Sequence, residues 1–202
     1  MPSRLPTEES QAEIVAAALK LARELSPPLI TTAEIAAAIG VSQGAVFKHF
    51  ASKEAIWLAA MNWVRQALSA ELEAAAAAAA SPIDALRAVF KAHVGFVLAH
   101  PGVPRLIFHE LQLPTDSPVK QEVRTLLQAY RRLLLRLLDA GVRRGDIAPA
   151  LDLEAAATLF VGVVQGLVMQ SMATGRTAAL KSQADPVFAI YLRGIGRAGQ
   201  TP

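Results

Sequence analysis

Residues Thr31 to Lys53 read TTAEIAAAIGVSQGAVFKHFASK, and this stretch decides the fold of the chain. It predicts two short helices that are joined by a glycine-containing turn and followed by the start of a third. Thr32 is expected to cap the first helix with its hydroxyl, and Ser42 to cap the second in the same way. Gly40 can adopt the left-handed backbone conformation that ends a helix.

The apolar residues of this stretch repeat at helical spacing. Ile35 and Ile39 lie four residues apart in the first helix, and Val46 and Phe50 lie four apart in the second. We expect the two pairs to pack against each other, because residues at i and i+4 share one face of a helix. The pattern is that of a helix-turn-helix, whose second helix normally enters the major groove of DNA.

The outward residues of the second helix are suited to contact with DNA. Gln43 stands at its start, where a side-chain amide can pair with the N6 and N7 atoms of adenine. Gly44 and Ala45 are small enough to let the helix approach the base edges closely. Lys48 and His49 flank the same surface, where we expect them to meet phosphate groups.

The stretch from about Gln11 to Val64 resembles the DNA-binding domain of TetR/AcrR-type transcriptional regulators. Five features carry the resemblance: a pair of threonines, an I-A-x-x-x-G-V-S turn, an aromatic-x-H-F step, an S-K-E helix start and a following tryptophan. The resemblance implies phosphate contacts at Thr32, Phe47, His49 and Lys53. It implies base contacts at Ser42, Gln43, Ala45 and Lys48.

Two features depart from the pattern of that family. Phe47 stands where the family usually has tyrosine, and because it lacks the hydroxyl we expect only a van der Waals contact with DNA. Ser26-Pro27-Pro28 stands where the family commonly has a glycine-containing loop. The prolines are expected to stiffen this loop without removing the helices on either side.

The composition indicates an all-α protein. Hydrophobic residues make up 53% of the chain and aromatic residues only 5%, a mix that favours helices and leaves little material for strands. The absence of cysteine excludes disulfides and thiolate metal sites. The first residues, MPSRLPTEESQAE, contain no apolar segment of the kind found in secretory signals, so we expect a cytoplasmic protein.

Positive charge is not concentrated in the part that resembles a DNA-binding domain. Residues 1–80 hold six Lys and Arg against eight Asp and Glu, a net charge of −2, and the remaining residues sum to +5. Affinity for DNA would therefore depend on local placement of Lys48 and Lys53. We expect Lys53 to begin a helix, where backbone N–H groups also favour phosphate.

We expect an N-terminal three-helix helix-turn-helix domain over residues 1–60 and a larger helical ligand-binding and dimerisation domain over 61–202. Helix one is predicted over 8–24, and its expected buried stripe is Ile14, Ala18, Leu21 and Leu25. Helix four is predicted over 52–80, with Ile56, Ala60 and Val64 facing inward. Five further helices are predicted over 82–99, 102–111, 118–141, 152–174 and 185–197. The total is about nine helices, the usual number in the family that this chain resembles.

The segment from Ala155 to Met172 is apolar on nearly all sides. Its unbroken apolar run, 155–164, is too short to span a membrane, so we expect no membrane partner. We expect one face to line the C-terminal core and the other to form a four-helix homodimer interface with the last helix. The expected interface residues are Leu159, Gly162, Val163, Gly166, Val187, Ile190 and Tyr191. The alternative is a monomer in which both helices serve internal packing.

The resemblance implies that the C-terminal part binds a small-molecule effector, which shifts the spacing of two DNA-binding domains. An apolar lining with few polar groups is typical of a site for a hydrophobic or planar ligand. The candidate lining residues are Trp63, His93, Phe96, His100, Phe108, Tyr130, Gln165 and Met169.

The histidines at 93, 100 and 109 raise the possibility of a metal sensor, but their spacing matches no i,i+4 chelate. We predict no metal ion and no cofactor. No Ser/His/Asp set, P-loop or dinucleotide-binding motif is present, so we predict no catalytic residues. The expected function is ligand-responsive transcriptional regulation, most simply repression through a palindromic double-stranded DNA operator. The alternative is a helical small-molecule or metal-binding protein without specific DNA binding.

Overall fold

The computed structural model describes residues 7–175 and 177–196. Over these ranges the chain forms nine α-helices and a 3₁₀ turn at Pro27–Leu29. The helices are α1 (Thr7–Leu21), α2 (Thr32–Ala38), α3 (Gln43–Phe47), α4 (Lys53–Ala77), α5 (Pro82–Ala99), α6 (Gly102–Gln112), α7 (Pro118–Arg144), α8 (Leu153–Thr174) and α9 (Thr177–Ile195). The prediction of an all-α fold with about nine helices is confirmed.

The described residues form two compact units. Unit 1 contains residues 7–66 and 100–125, and unit 2 contains residues 67–99, 126–175 and 177–196. Unit 1 holds α1, α2, α3, α6 and the first parts of α4 and α7. Unit 2 holds α5, α8, α9 and the remaining parts of α4 and α7. The predicted division of function at residue 60 stays a prediction, because the units describe packing and not function.

The first helix buries only part of its predicted stripe. Ile14 and Ala18 are buried, while Leu21 is half-buried. Leu25 is 36% exposed, and its predicted burial is wrong, because α1 ends at Leu21 and the helical stripe ends with it.

The fourth helix follows the sequence pattern closely. Ile56, Ala60 and Val64 are all fully buried, as predicted from their spacing of four. The helix ends at Ala77, three residues before the predicted end. Alanine promotes helix but offers little apolar surface for packing, so the end of an exposed alanine run is weakly held.

The start of α6 lies directly against α1 within unit 1. A Cβ atom added to Gly102 would overlap the carbonyl oxygen of Leu19 and lie 3.1 Å from the Cβ of Ala22. Glycine at this position therefore allows the backbones of the two helices to touch. This contact is not predictable from the local sequence, because Gly102 directly after Pro101 indicates only the start of a helix.

The predicted end of α7 and the predicted start of α9 differ from the structure. Helix α7 continues past Gly141 to Arg144 and is followed by Gly145, which has a positive φ of 85°. Helix α9 begins at Thr177 and not at Asp185, so Pro186 lies inside the helix. The predicted start of α9 at Asp185 is wrong, because the chain is already helical from Thr177 and the helix continues through Pro186. The predicted end at Arg197 lies outside the described residues.

The core of unit 2 contains a cluster of aromatic rings. The ring centroids of Phe90 and Phe188 lie 4.7 Å apart, and Phe160 packs edge-on against both. Tyr191 packs edge-on against Phe160, and its hydroxyl donates a hydrogen bond of 3.1 Å to the carbonyl oxygen of Ala156. Edge-on aromatic pairs of this kind add to the burial of apolar area, so the cluster ties α5, α8 and α9 together.

Helix α8 is long enough and apolar enough to cross a membrane by length and composition. In unit 2 its buried face packs against α9 and α5. This packing accounts for the apolar residues of that face.

Candidate DNA interface

Helix α2 begins with a complete capping box. The Thr31 hydroxyl accepts a 3.1 Å hydrogen bond from the backbone N–H of Glu34, and the Glu34 carboxylate accepts a 2.7 Å hydrogen bond from the Thr31 N–H. The hydrogen bonds that this carboxylate accepts from the Thr31 N–H and from the Thr31 hydroxyl hold the pKa of Glu34 below its usual value. The predicted cap, Thr32, is wrong by one residue, because only Thr31 has a glutamate three positions later.

The turn between α2 and α3 has the predicted form. Gly40 adopts a φ of 71°, which is the left-handed conformation expected at the end of a helix. The hydroxyl of Ser42 accepts a 3.2 Å hydrogen bond from the backbone N–H of Ala45, so the predicted cap of α3 is confirmed. With both helices capped at the turn, the direction of α3 is fixed by local hydrogen bonds.

Helix α3 has one buried and one exposed face. Val46 is fully buried, and Phe50, just beyond the helix, is 8% exposed. On the other face Gln43, Gly44 and Lys48 are exposed. Phe47 is also exposed, and Ala45 is half-buried. An exposed helix face made of polar, small and aromatic residues next to a fixed turn is suited to the major groove.

Gln43 and Thr32 are joined by a hydrogen bond across the two helices. The amide Nε2 of Gln43 donates to the hydroxyl oxygen of Thr32 at 2.6 Å. Thr32 is the first residue of α2 and is 9% exposed. The predicted phosphate contact of Thr32 stays a prediction, and the structure adds a partner for it within the protein.

Lys53 lies at the N-terminus of α4, as predicted, although the helix begins at Lys53 and not at Ser52, and it also holds the loop before α2. Its ammonium group donates a 2.9 Å hydrogen bond to the carbonyl oxygen of Pro28 in the 3₁₀ turn. Ser52 accepts a 3.2 Å hydrogen bond from the N–H of Ala55 and so satisfies part of the first turn of the helix. The stiff Ser26-Pro27-Pro28 loop is therefore anchored to the start of α4.

His49 lies at the junction of α3 with α1. Its carbonyl oxygen accepts a 3.3 Å hydrogen bond from the side-chain amide of Gln11, and its Nδ1 atom is buried without a hydrogen-bond partner within the described residues. Gln11 was not predicted as part of the site, because a polar residue on a helix gives no signal of a contact 38 residues away. The predicted phosphate contact of His49 stays a prediction.

Comparisons with known proteins match both parts of the chain. The profile of bacterial regulatory proteins, tetR family, matches residues 14–60, and the tetracyclin repressor-like C-terminal domain matches residues 114–185. The HTH-type transcriptional regulator BetI of Rhizobium meliloti is 30% identical over 157 residues, which make up 78% of this chain and 75% of BetI. The chain belongs to the TetR family. It is therefore in a class of DNA-binding transcriptional regulators that are not enzymes.

Other relatives are similar over different shares of their length. The nucleoid occlusion factor SlmA of Haemophilus ducreyi is 27% identical over 123 residues, so the match spans 61% of this chain and 61% of SlmA, less than two thirds of that relative. The transcriptional regulator FadR of Bacillus subtilis was solved in complex with stearoyl-CoA. The two folds agree with a TM-score of 0.77 at 20% identity, over 91% of this chain and 98% of FadR.

The candidate effector residues of this TetR-family chain fall in both units. In unit 1, Trp63 and His100 pack edge-on with ring centroids 5.0 Å apart, and Phe108 is half-buried on α6. In unit 2, Phe96 is buried. The remaining four, also in unit 2, are His93, Tyr130, Gln165 and Met169. Among the eight residues, contacts are seen between Trp63 and His100 within unit 1 and between His93 and Tyr130 within unit 2.

His93 and Tyr130 form the polar pair of the unit 2 interior. The Nδ1 atom of His93 and the hydroxyl oxygen of Tyr130 share a 3.2 Å hydrogen bond, and the two rings pack edge-on. Burial lowers the pKa of His93 from 6.5 to about 4 and raises the pKa of Tyr130 well above 10. Both side chains are therefore neutral at pH 7.

Gln165 and Met169 lie one turn apart on α8. Gln165 is half-buried, whereas Met169 is 47% exposed. Among the described residues, no group of three histidine or carboxylate side chains is placed to hold a metal ion. The part that these residues play in effector binding stays a prediction.

The predicted dimer residues differ in how much surface they offer. Leu159 and Ile190 are 55% and 61% exposed, which is high for residues of this size and type. Gly162 is exposed, and Val163, Gly166 and Val187 are half-buried. Tyr191 is 4% exposed and hydrogen-bonded inside unit 2, so the structure places it in the core of its own chain and not on the surface.

Proposed function

We propose that this TetR-family protein is a repressor that binds a palindromic DNA operator as a homodimer and is released by a small hydrophobic effector. The observation that carries the proposal is the exposed face of α3, where Gln43, Gly44 and Lys48 are free of the core while Val46 is buried. A helix held in this way presents its outer side chains to the base edges when it enters the major groove.

Base recognition would centre on the N-terminal end of α3. Gln43 supplies an amide for the edge of a base, and Gly44 and Ala45 leave room for close approach. Lys48 stands at the other end of the helix, where a phosphate or a base acceptor would be in reach. Two copies related by a two-fold axis would place half-site centres about one helical turn of DNA apart, or a multiple of it.

The homodimer would form through the exposed apolar residues of α8 and α9. Leu159 and Ile190 leave apolar surface uncovered on these helices. A Cβ atom added to Gly162 or Gly166 would meet no atom of the described residues within 4 Å, so the small size of these glycines serves no contact within that part of the chain. Small residues spaced four apart let another helix approach closely, and a second copy of α8 fits that role.

The effector would be held in the interior of unit 2. The aromatic cluster and the neutral pair of His93 and Tyr130 offer apolar surface with few polar groups. No lysine or arginine is buried among the described residues, and the half-buried Arg87, whose guanidinium carbon lies 5.5 Å from the centroid of the Phe188 ring, is already engaged with that ring. The part of the effector that enters unit 2 should therefore be uncharged. The bound stearoyl-CoA of FadR, which carries a long apolar chain, is consistent with an apolar interior in this fold.

The test is a mobility-shift titration against the DNA upstream of the protein's own gene, with unrelated DNA as competitor. Specific binding that weakens in Gln43→Ala by a factor of about 5 to 150 is the expected result. Gln128→Ala is the matched control, since Gln128 is an exposed glutamine on α7 in unit 2. Genome-fragment selection extends the search if the upstream DNA carries no operator.

A protein that binds no selected fragment more tightly than competitor would be a helical ligand-binding protein without specific DNA binding. For the effector, thermal shift with 1-naphthalenemethanol and 1-naphthoate compares a neutral and an anionic form of one skeleton. Stabilisation by the alcohol alone is expected. A stronger shift with the carboxylate would contradict the proposed uncharged interior. The cytoplasm is the compartment in which we place this function.

A further inference from the structure

The hydrogen bond between Gln43 and Thr32 links the base-reading helix to the helix before it. Gln43 Nε2 lies 2.6 Å from Thr32 Oγ1, and the two residues are the first residues of α3 and α2. Each follows a residue that caps its helix through its side chain, Ser42 and Thr31 respectively. Both ends of this hydrogen bond are therefore held in place by the caps of their helices.

The hydrogen bond changes what the amide of Gln43 can offer to DNA. A glutamine side chain has two N–H donors on Nε2 and one carbonyl acceptor, Oε1. Thr32 takes one of the two N–H groups. In this orientation of the amide, one donor and one acceptor remain for a base.

Adenine and guanine differ in the pattern that this remaining pair must match. In the major groove adenine presents an acceptor at N7 and a donor at N6, whereas guanine presents acceptors at both N7 and O6. A glutamine with both N–H groups available can donate to both acceptors of guanine. A glutamine with one N–H and one carbonyl matches adenine at both atoms and sets its carbonyl oxygen against O6 of guanine.

We infer that Thr32 is a specificity-determining residue of this protein, whose hydroxyl occupies one N–H of Gln43 and so makes the amide select adenine over guanine. The inference rests on the proposed function, in which Gln43 reads a base. Thr32 acts through Gln43 as a positioning residue. This role explains why its side chain is nearly buried and bonded inside the protein.

This positioning role of Thr32 and a phosphate contact would affect DNA binding in different ways. A side chain that binds phosphate changes the affinity for all sequences by the same factor. A side chain that fixes the amide of Gln43 changes the ratio of affinities between two bases at one operator position. The two roles can therefore be separated by measuring that ratio.

The experiment uses the full chain as wild type and as Thr32→Val, Thr32→Ala and Thr32→Ser. Valine keeps the shape of threonine without its hydroxyl, alanine is the variant least able to disturb helix α2, and serine keeps the hydroxyl. Each protein is titrated against the selected operator and against its single-base variants. A thermal melt followed by circular dichroism checks that each variant is folded.

Wild type and Thr32→Ser should prefer adenine to guanine at the Gln43 position by about tenfold or more. In Thr32→Val and Thr32→Ala the preference should fall to roughly twofold, because both N–H groups of Gln43 become available. Lys53→Ala is the comparison for a variant that loses affinity equally for all sequences. It should leave the ratio of affinities for adenine and guanine unchanged.

Three outcomes would overturn the inference while leaving the proposed function standing. The first is an unchanged ratio of affinities for adenine and guanine in Thr32→Val and Thr32→Ala. The second is a loss of affinity in these variants that is equal for every sequence. The third is a wild-type preference for guanine, which needs both amide hydrogens of Gln43 on the base. A wild type that binds no sequence above competitor would overturn the proposed function, and this inference with it.

Discussion

The imidazole Nδ1 of His93 lies 3.2 Å from the phenol oxygen of Tyr130, and this pair joins α5 to α7 inside unit 2. His93 keeps some accessible surface but lies deep enough that its charged form is disfavoured, and its pKa is lowered to about 4. The hydrogen bond is therefore made by a neutral imidazole, which keeps one ring nitrogen for a further partner.

The stability of the protein should fall between pH 7 and pH 5 because of His93. The unfolded chain binds a proton at His93 near pH 6.5, whereas the folded chain binds it only near pH 4. The contribution of neutral His93 to stability is therefore fully present above pH 6.5 and is lost as the pH falls toward 4. The expected loss at pH 5 is about 2 kcal/mol. Urea unfolding of wild type and His93→Gln at both pH values measures it.

His93→Gln removes the titrating group. Between pH 7 and pH 5, the free energy of unfolding of this variant should therefore fall by roughly 2 kcal/mol less than that of wild type. Carboxylates with lowered pKa values, such as Glu34 and Asp116, lose their contribution only at lower pH and are shared by both proteins. An equal loss in wild type and variant would contradict the assignment to His93.

Gly102→Ala should destabilise unit 1. The added methyl group would overlap the Leu19 carbonyl, which is backbone and cannot move without shifting α1. We expect a loss of about 1 to 3 kcal/mol in the free energy of unfolding. Gly95→Ala is the matched control, because a Cβ atom there meets no atom of the residues that the structure describes within 4 Å and alanine favours helix. The prediction fails if Gly102→Ala is as stable as Gly95→Ala.

Lys53→Ala should weaken binding to all DNA sequences alike and reduce the dependence of binding on salt. The Lys53 ammonium lies at the start of α4 and holds the Pro28 carbonyl, so its loss removes a cation and loosens the adjacent loop. The slope of log affinity against log salt should fall by about one for each lost phosphate contact. Fluorescence anisotropy with labelled operator at several salt concentrations gives the slope.

Lys91→Ala makes the same change in charge in unit 2, where Lys91 forms an exposed ion pair with Asp185. It should leave the salt slope unchanged. A Lys53→Ala variant that alters base preference, while its salt slope matches wild type, would place Lys53 at a base and not at a phosphate.

Leu159→Glu combined with Ile190→Glu should convert the dimer into a monomer. Both residues expose more than half of their side-chain area on α8 and α9, and a carboxylate cannot be buried there without a partner. The mass measured by light scattering after size-exclusion chromatography should halve. Leu29→Glu is the control, since Leu29 is 67% exposed in unit 1. A dimer that survives the double change would place the interface elsewhere.

The helix-turn-helix was predictable because its signals are local. Gly40 and Ser42 act through neighbours within a few residues, and both behave as predicted. The choice between Thr31 and Thr32 as the cap was also available from the sequence, since Glu34 completes a capping box only with Thr31. The hydroxyl of Thr32 alone does not identify it as the cap, because the residue three positions after it is Ile35 and not a glutamate.

The contacts that the sequence did not predict join residues far apart in the chain. Gln43 with Thr32 and Lys53 with Pro28 are set by the way the helices pack, and nothing in the local pattern indicates them. Tyr191 was taken for a surface residue because its apolar neighbours suited an interface. Its hydroxyl is in fact satisfied by a carbonyl inside unit 2, which allows a tyrosine to be buried.

The contact between Gly102 and α1 also bears on how the chain folds during synthesis. Residues 7–66 emerge from the ribosome first, but the helix that covers α1 begins only at Gly102, and its unit is complete only at residue 125. At ordinary translation rates roughly 3 to 12 s separate residue 66 from residue 125. During that interval α6 is not yet available to pack on the surface of α1 around Leu19 and Ala22. The DNA-binding unit of a nascent chain can therefore finish folding only after the first segment of unit 2, residues 67–99, has already been made.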